Sequence, residues 1–218
     1  MQQPRRTIVY VDGFNLYYGS LKGTPYRWLD LGALCKRMLP KDDIVGIKFF
    51  TALVTDHPGE NGTAQRQRIY HRALRTTPGL SIHLGHFLTR PVTRLVVNPG
   101  KRGRKFCEVW QTEEKGSDVN LASHLLIDAF RVRYDRAVVI SNDGDLKEPV
   151  RFVREELKLP VVVLNPHSNR SWALSPRSLP SGSYYRPIKE SHLRQCQFPD
   201  AVPDAKGKVY KPDRWNGP

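Results

Sequence analysis

The sequence predicts an α/β fold, a mainly parallel sheet flanked by helices. Short apolar runs of β-branched residues recur along the chain, amphipathic helical stretches alternate with them, and acidic residues stand directly after two of the runs. Thr7 to Val11 is the first such run, and Leu29 to Leu39 reads as a helix stopped before Pro40. Ile44 to Val54 is the next strand. Gly62 to Thr77 is helical and closed by Pro78-Gly79, and Leu80 to Leu88 is again a strand. After Asp118, the residues Ala122, Leu125, Leu126, Ala129 and Phe130 form one helical stripe. Leu146, Val150, Val153 and Leu157 form another after Asp145. Ala137 to Ser141 and Val161 to Leu164 are continuous apolar runs of the kind that parallel strands bury on both faces. Between Leu88 and Asp118, RLVVNPGKRGRKFCEVW reads as two strand pieces joined by a basic turn, a projecting hairpin.

Residues 1–165 are therefore read as one domain and 166–218 as a basic, Pro/Ser-rich, partly ordered extension. Pro166 to Pro187 hold four prolines and six serines with little helical period. A short element is expected at Ile188 to Cys196, and a loose tail from Pro199.

The 218 residues carry 35 Lys and Arg against 21 Asp and Glu, a net charge of +14. The first 165 hold 26 of those bases against 17 acids, so the main domain is itself basic. Such an excess favours a polyanionic partner, because neutralised phosphates release counterions. A membrane partner is not expected, since no apolar run approaches the roughly 20 residues that span a bilayer. The N-terminal apolar stretch is too short for a secretory signal. Cys35, Cys107 and Cys196 are odd in number and lack zinc-ligand spacing, which predicts reduced thiols in a cytoplasmic protein.

The acids carry the functional signal. Asp12 directly follows IVYV, and Asp143 and Asp145 follow AVVIS. In an open parallel sheet, ligands bind outside the carboxyl ends of the strands. Asp118 stands at a helix start on the face of its apolar stripe, which turns it towards the sheet. Each Asp alone also reads as a turn or cap residue. Together the four imply mutual repulsion relieved by a cation, and an all-oxygen set suits Mg2+ or Mn2+. Such an ion activates water and steadies charge on a phosphoryl group.

The strings VYVDGFNLYYG, EKGSDVNLASHLL and VVISNDGDLKEPVRFVREE resemble the NYN domain, a branch of the PIN-like nuclease superfamily that includes bacterial LabA-like proteins. The resemblance spans about residues 7 to 165. It implies a PIN-like Rossmannoid fold and metal-dependent ribonuclease activity, with Asp12, Asp118, Asp143 and Asp145 as metal-binding acids and Asn15 supporting them. Two positions depart from the pattern: Ser123-His124 where many relatives carry another Asp, and Asn142 where a small residue is usual.

Two basic groups are candidates to hold RNA. Arg68, Arg72 and Arg75 share a helical stripe at i, i+4 and i+7, with Arg66 nearby and no acid in QRQRIYHRALR. Arg90, Arg94, Lys101, Arg102, Arg104 and Lys105 cluster on the hairpin, also without an acid. A solvated helix face, and a flexible loop or homodimer contact, are the plain alternatives. DNA stands beside RNA as a candidate partner, since phosphate contacts do not read the sugar. No Gly-x-x-x-x-Gly-Lys loop or dinucleotide fingerprint occurs. The leading expectation is a metal-dependent endoribonuclease, a hydrolase of RNA phosphodiester bonds. The alternative is a non-catalytic RNA-binding regulatory module on the same fold. A small-substrate phosphatase would not need two arginine-rich patches.

Overall fold

The computed structural model describes residues 4–56, 62–99, 103–169, 171, 174 and 183–216. Strand β1 (Arg5–Asp12) runs into a single helical turn, α1 (Gly13–Leu16), and a π-helical turn at Tyr17–Leu21. Helix α2 (Leu31–Met38), strand β2 (Asp42–Thr51), helix α3 (Thr63–Leu74) and strand β3 (Leu80–Leu84) follow. Strands β4 (His86–Leu95) and β5 (Phe106–Lys115) form a separate antiparallel hairpin. Helix α4 (Ser117–Phe130), strand β6 (Arg136–Ile140), helix α5 (Lys147–Glu155) and strand β7 (Val161–Asn165) return the chain to the sheet. Strand β8 (Tyr184–Pro187), helix α6 (Glu190–Gln195) and a hairpin of β9 (Ala201–Asp204) and β10 (Gly207–Tyr210) complete the chain.

The main sheet has six strands in the order β3-β2-β1-β6-β7-β8, and every neighbouring pair is parallel. Its chain order reverses between β1 and β6, so the crevice that favours ligands opens at the carboxyl ends of those two strands. Strand alternation divides the core. Val9, Val11, Ile47, Phe49, Val138 and Ile140 face one layer, with α2, α3, α6 and the C-terminal segment. Ile8, Tyr10, Phe50, Val139 and Val163 face the other, with α4 and α5. Among the described residues, no helix is long and apolar enough to cross a membrane.

Three local readings change. The run Leu80 to Leu88 is two strands, broken at Gly85, whose N–H donates to Thr51 O at 2.7 Å. A Cβ there would meet Lys115 O at 2.5 Å, so only glycine lets the hairpin leave the sheet at this point. Phe130 is 63% exposed and leaves the buried stripe of α4, packing instead on Phe152 with ring centroids 5.9 Å apart. From Pro199 the chain is anchored: Phe198, Val202, Val209 and Trp215 are buried in the layer around Trp28, whose indole N–H donates to Pro199 O at 2.8 Å. Four scattered apolar residues among prolines show no period, which hides this anchoring in the sequence.

Candidate active site

Asp12 is the last residue of β1 and nearly fully buried. It accepts the N–H of Asn15 at 2.9 Å, capping α1, and the hydroxyl of Ser141 at 2.9 Å. Asp143 sits in the turn after β6, where its N–H donates to Ser141 Oγ at 3.0 Å and its carboxylate accepts the N–H of Asp145 at 3.0 Å. Asp118 stands in the first turn of α4, which starts after Gly116 in the left-handed region at φ 98°. One carboxylate oxygen from each of Asp12, Asp118 and Asp143 lies within 4.8 Å of the others. The local capping bonds and the shared cluster coexist, because each carboxylate oxygen has two lone pairs and can take a second contact.

Burial pushes the Asp12 carboxyl up to about 7, and the charges of Asp118 and Asp143 add to that against the pull of Asn15 and Ser141. Burial likewise raises Asp118 to about 6, helped by Asp143, Glu114 and Asp145. Three ionised carboxylates at this spacing repel one another strongly, and the oxygen-only donor set fits a hard divalent cation.

The other residues expected at the site are placed differently. Asn15 lines the acidic cleft, and its side-chain oxygen accepts the N–H of Asn142 at 2.8 Å. That contact braces α1 against the β6 turn. Asp145 is exposed and stays outside the three-carboxylate group. Asn142 uses its amide to hold the following segment, accepting the N–H of Ser171 at 2.7 Å and donating to Asn169 O at 3.2 Å. Its size therefore has a structural use.

Two further groups line the cleft, Glu114 from β5 and His167 beyond β7. Glu114 accepts the N–H and hydroxyl of Ser117 at 3.1 and 2.6 Å, fixing the start of α4. His167 packs against Gly19, where any Cβ would collide with the imidazole, and its Nε2 is buried without a hydrogen-bond partner among the described residues. A signal existed for both. Glu114 is four residues before Asp118 in the same motif, and His167 lies two past a buried strand, as Asp143 lies three past β6.

The basic residues separate. Arg68 on α3 and Arg75 just past its end are exposed, while Arg66 is half-buried and lines a cavity beside the cleft. Arg72 is held by Asp204 of β9, one contact being 2.8 Å. That partner lies far along the sequence, so the stripe reads as free of acids when it is not. Arg90, Arg94, Arg104 and Lys105 are exposed on the hairpin, with Arg94 donating to Gln111. Lys101 and Arg102 lie outside the described residues. The root of the hairpin borders the cleft through Phe87 and Glu114.

A family model described as NYN domain matches residues 6–178. The chain belongs to the NYN-domain family. This places it in a nuclease-like, nucleic-acid-acting group, and the acidic cluster of this NYN domain is compatible with a divalent metal. A protein of Pseudomonas putida (strain DSM 28022 / S16) named 6-hydroxy-3-succinoylpyridine 3-monooxygenase HspA is 32% identical over 240 residues, covering 99% of this chain and 77% of its own. The crystal structure of a protein of unknown function from Vibrio parahaemolyticus RIMD 2210633, VPA0982, matches the NYN fold with a TM-score of 0.53 and 20% identity, over 87% of this chain and 98% of that one.

Proposed function

We propose that this NYN-domain protein is a metal-dependent endoribonuclease that hydrolyses RNA phosphodiester bonds at Asp12, Asp118 and Asp143. The observation that carries the reading is the meeting of these carboxylates, from three separate segments, at the reversal point of a parallel sheet inside a strongly basic chain. Mg2+ or Mn2+, held by the three acids, would supply positive charge to the phosphoryl oxygens and lower the pKa of water. Ser141 and Asn15 keep the Asp12 side of the cluster in register. Asp145 stands at the rim, where it would support the shell through its backbone contact with Asp143. Exposed Arg68, Arg75, Arg90, Arg94, Arg104 and Lys105 offer phosphate contacts along the approach.

The test is cleavage of mixed single-stranded and structured RNA with Mn2+ or Mg2+, comparing wild type with Asp143→Asn and checking folding and RNA binding in parallel. Cleavage lost while binding persists supports the reading. Binding by both proteins with cleavage by neither replaces it with the non-catalytic RNA-binding module.

A second reading draws on the Pseudomonas putida relative, whose name describes oxygenation of a hydroxypyridine. It predicts that this chain consumes O2 and an electron donor with 6-hydroxy-3-succinoylpyridine, and leaves RNA intact. The clustered carboxylates and the basic surface favour the ribonuclease.

A further inference from the structure

A second cavity, of about 470 Å3, adjoins the acidic cleft. Its volume falls in the range of small-molecule sites. Phe14, Tyr18, Val54 and Phe87 line both spaces, so whatever reaches the acids stands at the mouth of the cavity.

The walls are aromatic. Phe14 meets Phe87 edge to face with centroids 5.8 Å apart, Tyr17 meets Tyr18 at 5.3 Å, and Phe49 meets the imidazole of His71 at 5.9 Å. Among the described residues no carboxylate lines the cavity, while Lys22, Arg27 and Arg66 bring positive charge to it. Burial, with the charge of Arg75, pushes His71 down to about 4. At neutral pH its ring is therefore uncharged, with one nitrogen a donor and the other an acceptor. Two adjoining spaces thus have opposite chemistry: one acidic and suited to a cation, the other aromatic, uncharged at its floor and cationic at its edge.

We propose that this cavity receives the nucleobase next to the scissile phosphate. The proposal rests on the ribonuclease reading of the neighbouring acids. Every base has a π-face that aromatic walls can stack on, and a neutral imidazole can pair with a base edge. A phosphate at the acids carries its base on the adjoining sugar, which the shared walls accommodate. A base inside a duplex is stacked and cannot enter, so unpaired RNA is the form that fits.

Thr55 lies exposed on the cavity lining, so Thr55→Trp fills the entrance without removing a buried group. Phe87→Leu removes a wall ring and keeps apolar bulk, as a second variant. The four ribonucleosides and their 5′-monophosphates are titrated calorimetrically into the wild type and both variants, and single-stranded RNA cleavage positions are mapped in parallel. The expected result is base-dependent binding by the wild type, weakened at least tenfold by either variant, with altered cleavage positions. Absence of binding to every nucleoside and nucleotide overturns the proposal. So does equal binding by all three proteins, even where RNA is still cut, which leaves the ribonuclease reading standing. Binding that the variants abolish, in a protein that cuts no RNA, keeps the pocket and removes the ribonuclease. A pyridine carboxylic acid that binds in place of nucleotides, and is blocked by Thr55→Trp, reassigns the cavity to small aromatic acids.

Discussion

Ser141 and Asp12 are joined by a 2.9 Å hydrogen bond at the centre of the acidic cluster. The same buried hydroxyl accepts the N–H of Asp143 at 3.0 Å, so one small side chain sets two of the three acids. Ser141→Ala removes both contacts. The expected outcome is a loss of about 1–3 kcal/mol in stability, since buried groups are left unpaired. Mn2+ affinity, measured by calorimetry, should fall by about tenfold or more, as for other groups that orient metal ligands. Unchanged affinity would mean that the hydroxyl does not position Asp12.

The raised Asp12 and Asp118 carboxyls predict an unusual pH profile for the metal-free protein. Their folded-state values, about 7 and about 6, lie above the ordinary 3.8. The folded form therefore binds more protons than the unfolded form between about pH 4 and 7, and stability falls as pH rises through that window. Thermal melts in a chelator should show a declining Tm from pH 5 to 8, and Asp12→Asn should flatten the decline. Added Mn2+ should raise Tm more at pH 8 than at pH 6, because its ligands must be ionised. A slope identical in wild type and Asp12→Asn would refute the assignment.

A separate buried network should govern stability without touching the cleft. Asp128 of α4 is fully buried and binds Lys48, the hydroxyl of Tyr10 at 2.8 Å and Arg133 at 3.1 Å. Burial pushes its carboxyl up, but the hydrogen bonds from Lys48 and Tyr10, together with the charges of Lys48 and Arg133, outweigh it and hold the group below the ordinary range. Its stabilisation is thus present above about pH 4 and lost as pH falls below that. Asp128→Ala leaves Lys48 facing a hole and should cost about 3–5 kcal/mol in urea denaturation. A cost under ~1 kcal/mol would show that the pair contributes little.

Arginines that share one helix should behave differently. Arg68→Ala should weaken RNA binding and reduce the slope of log K against log salt by about 0.7, the value for one lost single-strand phosphate contact. Arg72→Ala should instead lower stability, because its guanidinium holds Asp204 and fastens β9 to α3. Arg90→Ala and Arg94→Ala should behave like Arg68→Ala. Should the hairpin serve a homodimer, sedimentation would change with these variants while the salt slope stayed constant.

The sheet was legible because buried parallel strands are short, continuous and apolar, as at Val138 to Ile140 and Val161 to Leu164. Three of the four acids expected to converge do so, and they were legible because Asp12 and Asp143 follow buried strands while Asp118 opens a helix on its apolar face. What stayed hidden depends on distant partners. Asp204 reaching Arg72, and Trp215 reaching Trp28, are contacts between segments with no shared local pattern. Gly85 was hidden for a different reason. Its neighbours alternate well enough to extend a strand, and only the close approach of Lys115 shows why the chain turns away.

The hairpin of β4 and β5 leaves the body at Gly85 and Gly116, and these glycines face each other across its root. With ten residues in each strand, the arm reaches about 30 Å at the usual rise per residue. Its root borders the acidic cleft, and over an arm of that length a rotation of ~10° at the glycines would carry its arginine-bearing end ~5 Å. A nucleic acid held at the far end would therefore be displaced farther by such a rotation than one held at the root, beside the carboxylates.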